Sequence, residues 1–188
     1  MPRYIRQRDK YSCGPVVLLN ALKWAGSTIG TSYGTLPWWR EVCGTDRRTG
    51  TSFTNLFRVA RTLPQIGARK ARPKVSLVDI DRHLRTGGAA ILGSDSEQMG
   101  GLHWFLVVGK IVQDGETNYS VVNFDRRATQ RLVSAVTIRN GMRLAAKRSG
   151  YPRALLLRTP GKGMPGLGWT GIYLKRISPK PRRARWEV

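Results

Sequence analysis

The feature that most constrains this chain is a change of hydrophobic period near residue 89. Upstream, apolar residues recur at helical spacing, whereas downstream they run in short continuous blocks. A first helix is expected from about Gly14 to Ala25. Pro15 suits its opening turn, Val17, Leu18, Ala21, Leu22 and Ala25 share a face, and Gly26 stops it. A second is expected over Ser52 to Leu63, with Phe53, Leu56, Phe57 and Ala60 on one side, and a short third over Val78 to Leu84. Ala89 to Leu92, Trp104 to Val108 and Tyr119 to Phe124 read as strands, the last two joined by the turn signal Gln113-Asp-Gly-Glu116. A basic amphipathic helix over Ile138 to Arg148 and a buried strand over Ala154 to Leu157 follow. Helices first and strands afterwards predict an α+β domain in which N-terminal helices pack on an antiparallel sheet.

Charge divides the chain differently. The 188 residues hold 33 Lys+Arg and 11 Asp+Glu, a formal net charge of +22. Residues 1–125 contain 17 basic and 10 acidic side chains, while residues 126–188 contain 16 and 1. That imbalance exceeds what solubility asks of a small domain, roughly 2–8 charges, and points to a polyanionic partner. From Thr159 onward the chain is rich in Gly and Pro and ends in a basic arm, so one domain over residues 1–158 and an extension over 159–188 are expected. Lys175, Arg176, Lys180, Arg182, Arg183 and Arg185 are the candidate phosphate contacts, with Trp169, Tyr173 and Trp186 available for stacking. No base-reading motif accompanies them, so binding would be phosphate-driven and weakly sequence-selective. No apolar run approaches the ~18 residues that span a bilayer, and the first residues lack a signal-peptide pattern. A cytoplasmic location, or one inside a virion, is expected.

Cys13 and Cys43 are too few for a disulfide framework, and with His83 and His103 they lack the ligand spacing of a zinc site. Neither a metal nor another cofactor is expected. Cys13 stands directly before the first helix, where the macrodipole and unpaired backbone N–H groups favour thiolate over thiol. Cys43 has no basic neighbour in its motif and reads as structural. His83, between Arg82 and Arg85 on a short helix, reads as a solvated face residue. His103 opens an apolar strand, from which an imidazole can be aimed at a helix terminus. The next strand ends in Asn123-Phe-Asp125, and alternation puts both polar residues on one face, so either can orient the imidazole. Gln7, six residues before Cys13, can donate to an oxyanion beside the Cys13 N–H.

The stretch Gln7-Arg-Asp-Lys-Tyr-Ser-Cys-Gly-Pro-Val-Val-Leu-Leu-Asn-Ala-Leu resembles the N-terminal signature of papain-like cysteine peptidase family 39, typified by the leader peptidase domains of bacteriocin exporters. Glu41-Val-Cys-Gly-Thr45 and Gly50-Thr-Ser-Phe-Thr-Asn-Leu56 look like the family's second and third helices with the turn between them. Leu77 to Leu84 resembles its fourth helix, His103-Trp-Phe-Leu-Val-Val108 its histidine strand, and Val121 to Asp125 its acidic strand. The similarity covers about residues 4 to 135. It implies a papain-like fold with Gln7 as oxyanion donor, Cys13 as nucleophile, His103 as general base and Asp125 as orienting residue, Asn123 being the alternative. Two departures stand out: Arg126 follows the aspartate where the family usually has Pro, and Ser12 precedes the cysteine where many members have Asp. No exporter segment occurs in these residues, so cleavage of exporter-bound leaders is not implied.

The sequence thus predicts a thiol-dependent hydrolase acting on a peptide or isopeptide bond of a protein or peptide substrate. Its basic C-terminal third would anchor it to nucleic acid or a nucleoprotein assembly such as a phage particle. The competing expectation is a catalytically idle peptidase fold retained as a structural or nucleic-acid-binding part of such an assembly.

Overall fold

Side-chain parity along the strands decides which helix meets which face of the sheet. The computed structural model describes residues 2–28, 31–72, 75–96, 101–125, 130–149 and 153–159. The elements are α1 (Cys13–Trp24), a 3-10 turn (Tyr33–Thr35), α2 (Leu36–Val42), α3 (Phe53–Thr62), β1 (Gly67–Lys70), α4 (Leu77–Arg85), β2 (Ala89–Ser96), β3 (Gly101–Gln113), β4 (Glu116–Val122), β5 (Gln130–Ser134), α5 (Ala135–Ser149) and β6 (Ala154–Arg158). The six strands form one antiparallel sheet in the order β1-β6-β2-β3-β4-β5.

Ala89, Ile91, Trp104, Leu106, Leu155 and Leu157 face α1, α2 and α3. Their neighbours Ala90, Leu92, Phe105, Val107, Ala154 and Leu156 face α4 and α5. This alternation explains why the central strands read as unbroken apolar runs, since both faces are covered. It gives two cores separated by one sheet. Helix α1 is enclosed on all sides, with every residue from Cys13 to Leu22 buried, and a helix apolar all round belongs in such a place. α3 and α4 bury one face each and carry Ser52 and Ser76 as N-caps, whose hydroxyls accept from Asn55 and Asp79 N–H. In α4 the Asp79 carboxylate returns a bond to the Ser76 N–H, closing a capping box.

The β3–β4 hairpin turns through Asp114 (φ 50°) and Gly115 (φ 76°), the left-handed pair that an Asp-Gly turn supplies. The predicted helices and strands are all present, and β3 is longer than expected, running to Gln113. β1 and β5, at the two sheet edges, are additional. Among the described residues no helix is long and apolar enough to cross a membrane. The expected basic extension lies outside the described residues from position 160 onward, as do Arg126 and the candidate contacts Lys175, Arg176, Lys180, Arg182, Arg183 and Arg185.

The two-sided burial has a direct consequence for stability. Ile91→Ala, at a fully buried position of β2, is expected to destabilise by about 2–5 kcal/mol in urea unfolding. Val112→Ala, on the exposed end of β3, should stay within about 0.5 kcal/mol.

Candidate active site

The segment before α1 is held by an amide clip. Asn20, buried within α1, accepts from the Ile5 N–H (2.7 Å) and donates to the Ile5 carbonyl (2.9 Å). Both polar groups of residue 5 are thereby satisfied in a dry place, and Gln7 follows two residues later. The Gln7 side chain is buried: Nε2 donates to the Asp9 carbonyl at 2.6 Å, and Oε1 accepts from Asn123 Nδ2 at 3.2 Å. A primary amide carries two N–H groups, so the second can serve another acceptor.

Asp9 shapes the turn into α1. Its carboxylate accepts from the backbone of Tyr11 (2.9 Å) and Ser12 (2.7 Å), from Ser12 Oγ (2.8 Å) and from Arg40 Nη2 (2.5 Å). Arg40 Nε also donates to Ser12 Oγ at 2.6 Å, tying α2 to the turn. Burial alone pushes the Asp9 carboxyl upward, but the hydrogen bonds from Tyr11, Ser12 and Arg40 outweigh it and hold the group below its ordinary value. Asp9 and Arg40 are not among the residues that the catalytic motif singles out in the sequence. An Asp three residues before a helix-opening Ser is a local turn signature that points to them.

Cys13 is the first residue of α1 and is 5% exposed. The expectation of a depressed thiol pKa is corrected: burial pushes the Cys13 thiol up, and the hydrogen bonds from the N–H groups of Trp104, Gly14 and Cys13 itself only partly offset it. The nearby Asp9 charge adds to the rise. Desolvation of a thiolate here outweighs the helix terminus. Gly14 is required by packing, because a Cβ there would run into the Thr51 side chain. Thr51, in turn, accepts from Trp104 Nε1 through its carbonyl at 2.9 Å and shares a hydroxyl hydrogen bond with Thr45 at 2.7 Å.

The Trp104 amide beside the Cys13 sulfur also places His103, the preceding residue of β3, at this end of the sheet. His103 is 5% exposed, and its Nε2 lies 2.5 Å from the Asn123 carbonyl oxygen. A carbonyl can only accept, so Nε2 carries the proton, and in the neutral ring Nδ1 carries the lone pair. Asn123 follows β4 with φ 62°, a left-handed conformation that Asn tolerates better than most residues. From it the side chain donates to Gln7 Oε1 and, at 3.4 Å, to the Trp104 carbonyl. The Asp125 carboxylate forms an ion pair with Arg131 on β5. The structure therefore joins Gln7, His103 and Asn123 through hydrogen bonds, with the Trp104 carbonyl beside them and the Trp104 amide acting on the Cys13 sulfur, and gives Asn123 a contact to the imidazole.

Two further expectations concern residues outside this network. Cys43 is fully buried, and desolvation drives its thiol up to about 12, as suits a structural cysteine. His83 is corrected. It is 4% exposed, and its Nε2 donates to the Leu157 carbonyl of β6 at 2.8 Å. The charged residues flanking it suggested a solvated face, but β6, from the far end of the chain, covers the ring.

A raised thiol pKa fixes the sign of a pH effect. Because only the thiolate attacks iodoacetamide, alkylation of Cys13 should climb with pH beyond the ordinary thiol range, with Cys43 slower throughout. Mass spectrometry after quenched labelling reads both sites. A Cys13 rate already at its plateau near pH 6 would contradict the burial assigned to it.

Neither a scan against protein-family models nor a search of curated proteins finds a match for this chain. Comparison with solved structures does. A crystal structure from Bacillus anthracis, described as that of a candidate C39-like peptidase, matches with a TM-score of 0.56 and 14% sequence identity, covering 84% of this chain and 96% of the other. The chain has a mixed α/β fold that resembles a C39-like peptidase.

Proposed function

We propose that this chain is a cysteine-type hydrolase of peptide or isopeptide bonds, with Cys13 as nucleophile, His103 as general base, Asn123 as positioning residue and Gln7 as oxyanion donor. The observation that carries the reading is the single hydrogen-bonded network in which Asn123 holds both the His103 ring and the Gln7 amide beside the Cys13 helix terminus. The peptidase-like fold supports it.

In the proposed cycle, His103 Nδ1 takes the Cys13 proton and the sulfur attacks the carbonyl carbon. A buried thiol with a raised pKa suits this order, in which the thiolate forms at the moment of attack and not before. The developing oxyanion receives hydrogen bonds from the Cys13 N–H and the second N–H of Gln7 Nε2. The imidazolium, steadied through Nε2–H by the Asn123 carbonyl, returns the proton to the leaving amine. Water, deprotonated by the same ring, then hydrolyses the thioester and regenerates the thiol.

Asp125, which the family resemblance puts in the orienting role, is proposed to act through Arg131 on the β4–β5 edge instead. The basic C-terminal third is proposed to anchor the enzyme to a polyanion, with nucleic acid as the leading candidate. Support for that part is the charge distribution alone, 16 basic residues against one acidic over residues 126–188.

An electrophilic peptide probe with a carbonyl next to its leaving group tests the catalytic reading without knowledge of the substrate. The intact chain should label at Cys13, and Cys13→Ala and His103→Ala should abolish labelling while retaining the circular dichroism spectrum. Gln7→Ala should slow it by about 10²–10³. Asn123→Gly keeps the left-handed backbone and the carbonyl but loses the Gln7 anchor, so it should impair the rate more than Asp125→Asn. A folded chain that never labels would instead be the idle peptidase fold.

For the anchor, affinity for duplex DNA should fall by orders of magnitude between ~50 and ~200 mM salt. Deleting residues 178–188, with Lys180, Arg182, Arg183 and Arg185, should flatten that slope by up to about four contacts. An unchanged slope would assign the polyanion contact elsewhere.

A further inference from the structure

On the sheet face opposite α1, β1, β6 and α4 enclose an open cleft of about 570 Å³. Arg69 of β1 and Arg158 of β6 line it. In the β1–β6 register Arg69 pairs with Leu156 and Gly67 with Arg158, so the two guanidinium groups stand on one sheet face two residues apart. Arg72, beyond the end of β1, and Arg82, from α4, complete a set of four. Lys70 is left out of this count, because its ammonium stands 4.7 Å over the Phe57 ring centroid on the α3 side of the sheet.

Four cations in one cleft repel each other, and little on the described chain offsets them. Arg69, Arg72 and Arg158 form no ion pair among the described residues. Among the described residues the one carboxylate in the lining, Asp79, is committed to the Ser76 cap and to Arg82 at 3.2 Å. His83 forms part of the wall, fixed by its bond to Leu157. Burial, followed by the fields of Arg158 and Arg69, holds its ring below the ordinary histidine value. Like charge concentrated on one cleft wall is what a bound anion would neutralise.

We propose that this cleft is a phosphate-binding site. One guanidinium fork satisfies the two coplanar oxygens of a carboxylate, whereas guanidinium groups arriving from three separate elements match the tetrahedral oxygens and higher charge of phosphate. The floor is aliphatic, from Ala71, Val75 and Leu156, and among the described residues no Phe, Tyr or Trp lines it. Bases would have nothing to stack on there, so the site takes the phosphate and leaves the rest of the ligand outside. The phosphate can come from a nucleic-acid backbone or from a free phosphoanion. The site does not depend on the hydrolase reading, and its residues are distinct from those of the basic tail.

The chain's two histidines provide a local readout, with His83 in the cleft wall and His103 on β3 as the internal control. On the full chain, titration with inorganic pyrophosphate should shift the His83 ring-proton resonance saturably and leave that of His103 in place. Arg69→Gln combined with Arg158→Gln, both at exposed positions, should weaken the response at least about tenfold while leaving Cys13 probe labelling unchanged. Arg182→Gln with Arg183→Gln should leave the pyrophosphate response unchanged. A short single-stranded DNA that reproduces the His83 shift at lower concentration identifies the backbone as the source, and a shift with pyrophosphate alone identifies a free phosphoanion. A silent His83 resonance, an equal response to poly-L-glutamate, or a response abolished by the tail variant would each overturn the proposal.

Discussion

Asn123 is the point on which the arrangement of the site depends. It has to end β4 in a left-handed conformation while its carbonyl meets a histidine and its amide meets a glutamine from the other end of the chain. Left-handed backbone is costly for most L-residues, and a short amide side chain is among the few that accept it. Once that conformation is set, three segments far apart in sequence are joined in one buried network. Each bond is made in a place where a lost partner would leave a polar atom unsatisfied, so the network is costly to break in part.

The sheet supplies the frame for this contact. With apolar residues on both faces of β2, β3 and β6, a one-residue slip would send the α1-facing set toward α4 and α5. The register that holds the two cores therefore also holds His103 and the Trp104 amide next to the helix that carries Cys13. The same enclosure has an electrostatic consequence. Burial raises the Cys13 thiol pKa despite the helix terminus. In the proposed cycle, His103 on β3 is the base that such a thiol requires.

What could be read from the sequence follows from periodicity. α1, α3, α4 and the central strands carry enough apolar residues at regular spacing to announce themselves, and the Asp-Gly turn signals the β3–β4 hairpin. β1 has no buried residue and β5 buries only Val133, so neither edge strand has an alternation to detect. The placement of β6 between β1 and β2 is a long-range pairing with no local signature. The burial of His83 has no local signature either, since its cover comes from Leu157, 74 residues away. At the candidate site, the residues of the proposed Gln7, Cys13 and His103 set are legible in the sequence, whereas alternation leaves Asn123 and Asp125 equivalent. In the structure the Asn123 carbonyl meets the His103 ring and the Asp125 carboxylate pairs with Arg131.

The central claim is geometric, and a crystal structure of the Cys13 hemithioacetal formed with a peptide aldehyde would test it most directly. The account predicts the adduct oxygen within about 2.7–3.1 Å of both Gln7 Nε2 and the Cys13 N–H, with His103 Nε2 still on the Asn123 carbonyl. An oxygen turned away from Gln7, or an imidazole that has left Asn123 for Asp125, would contradict it.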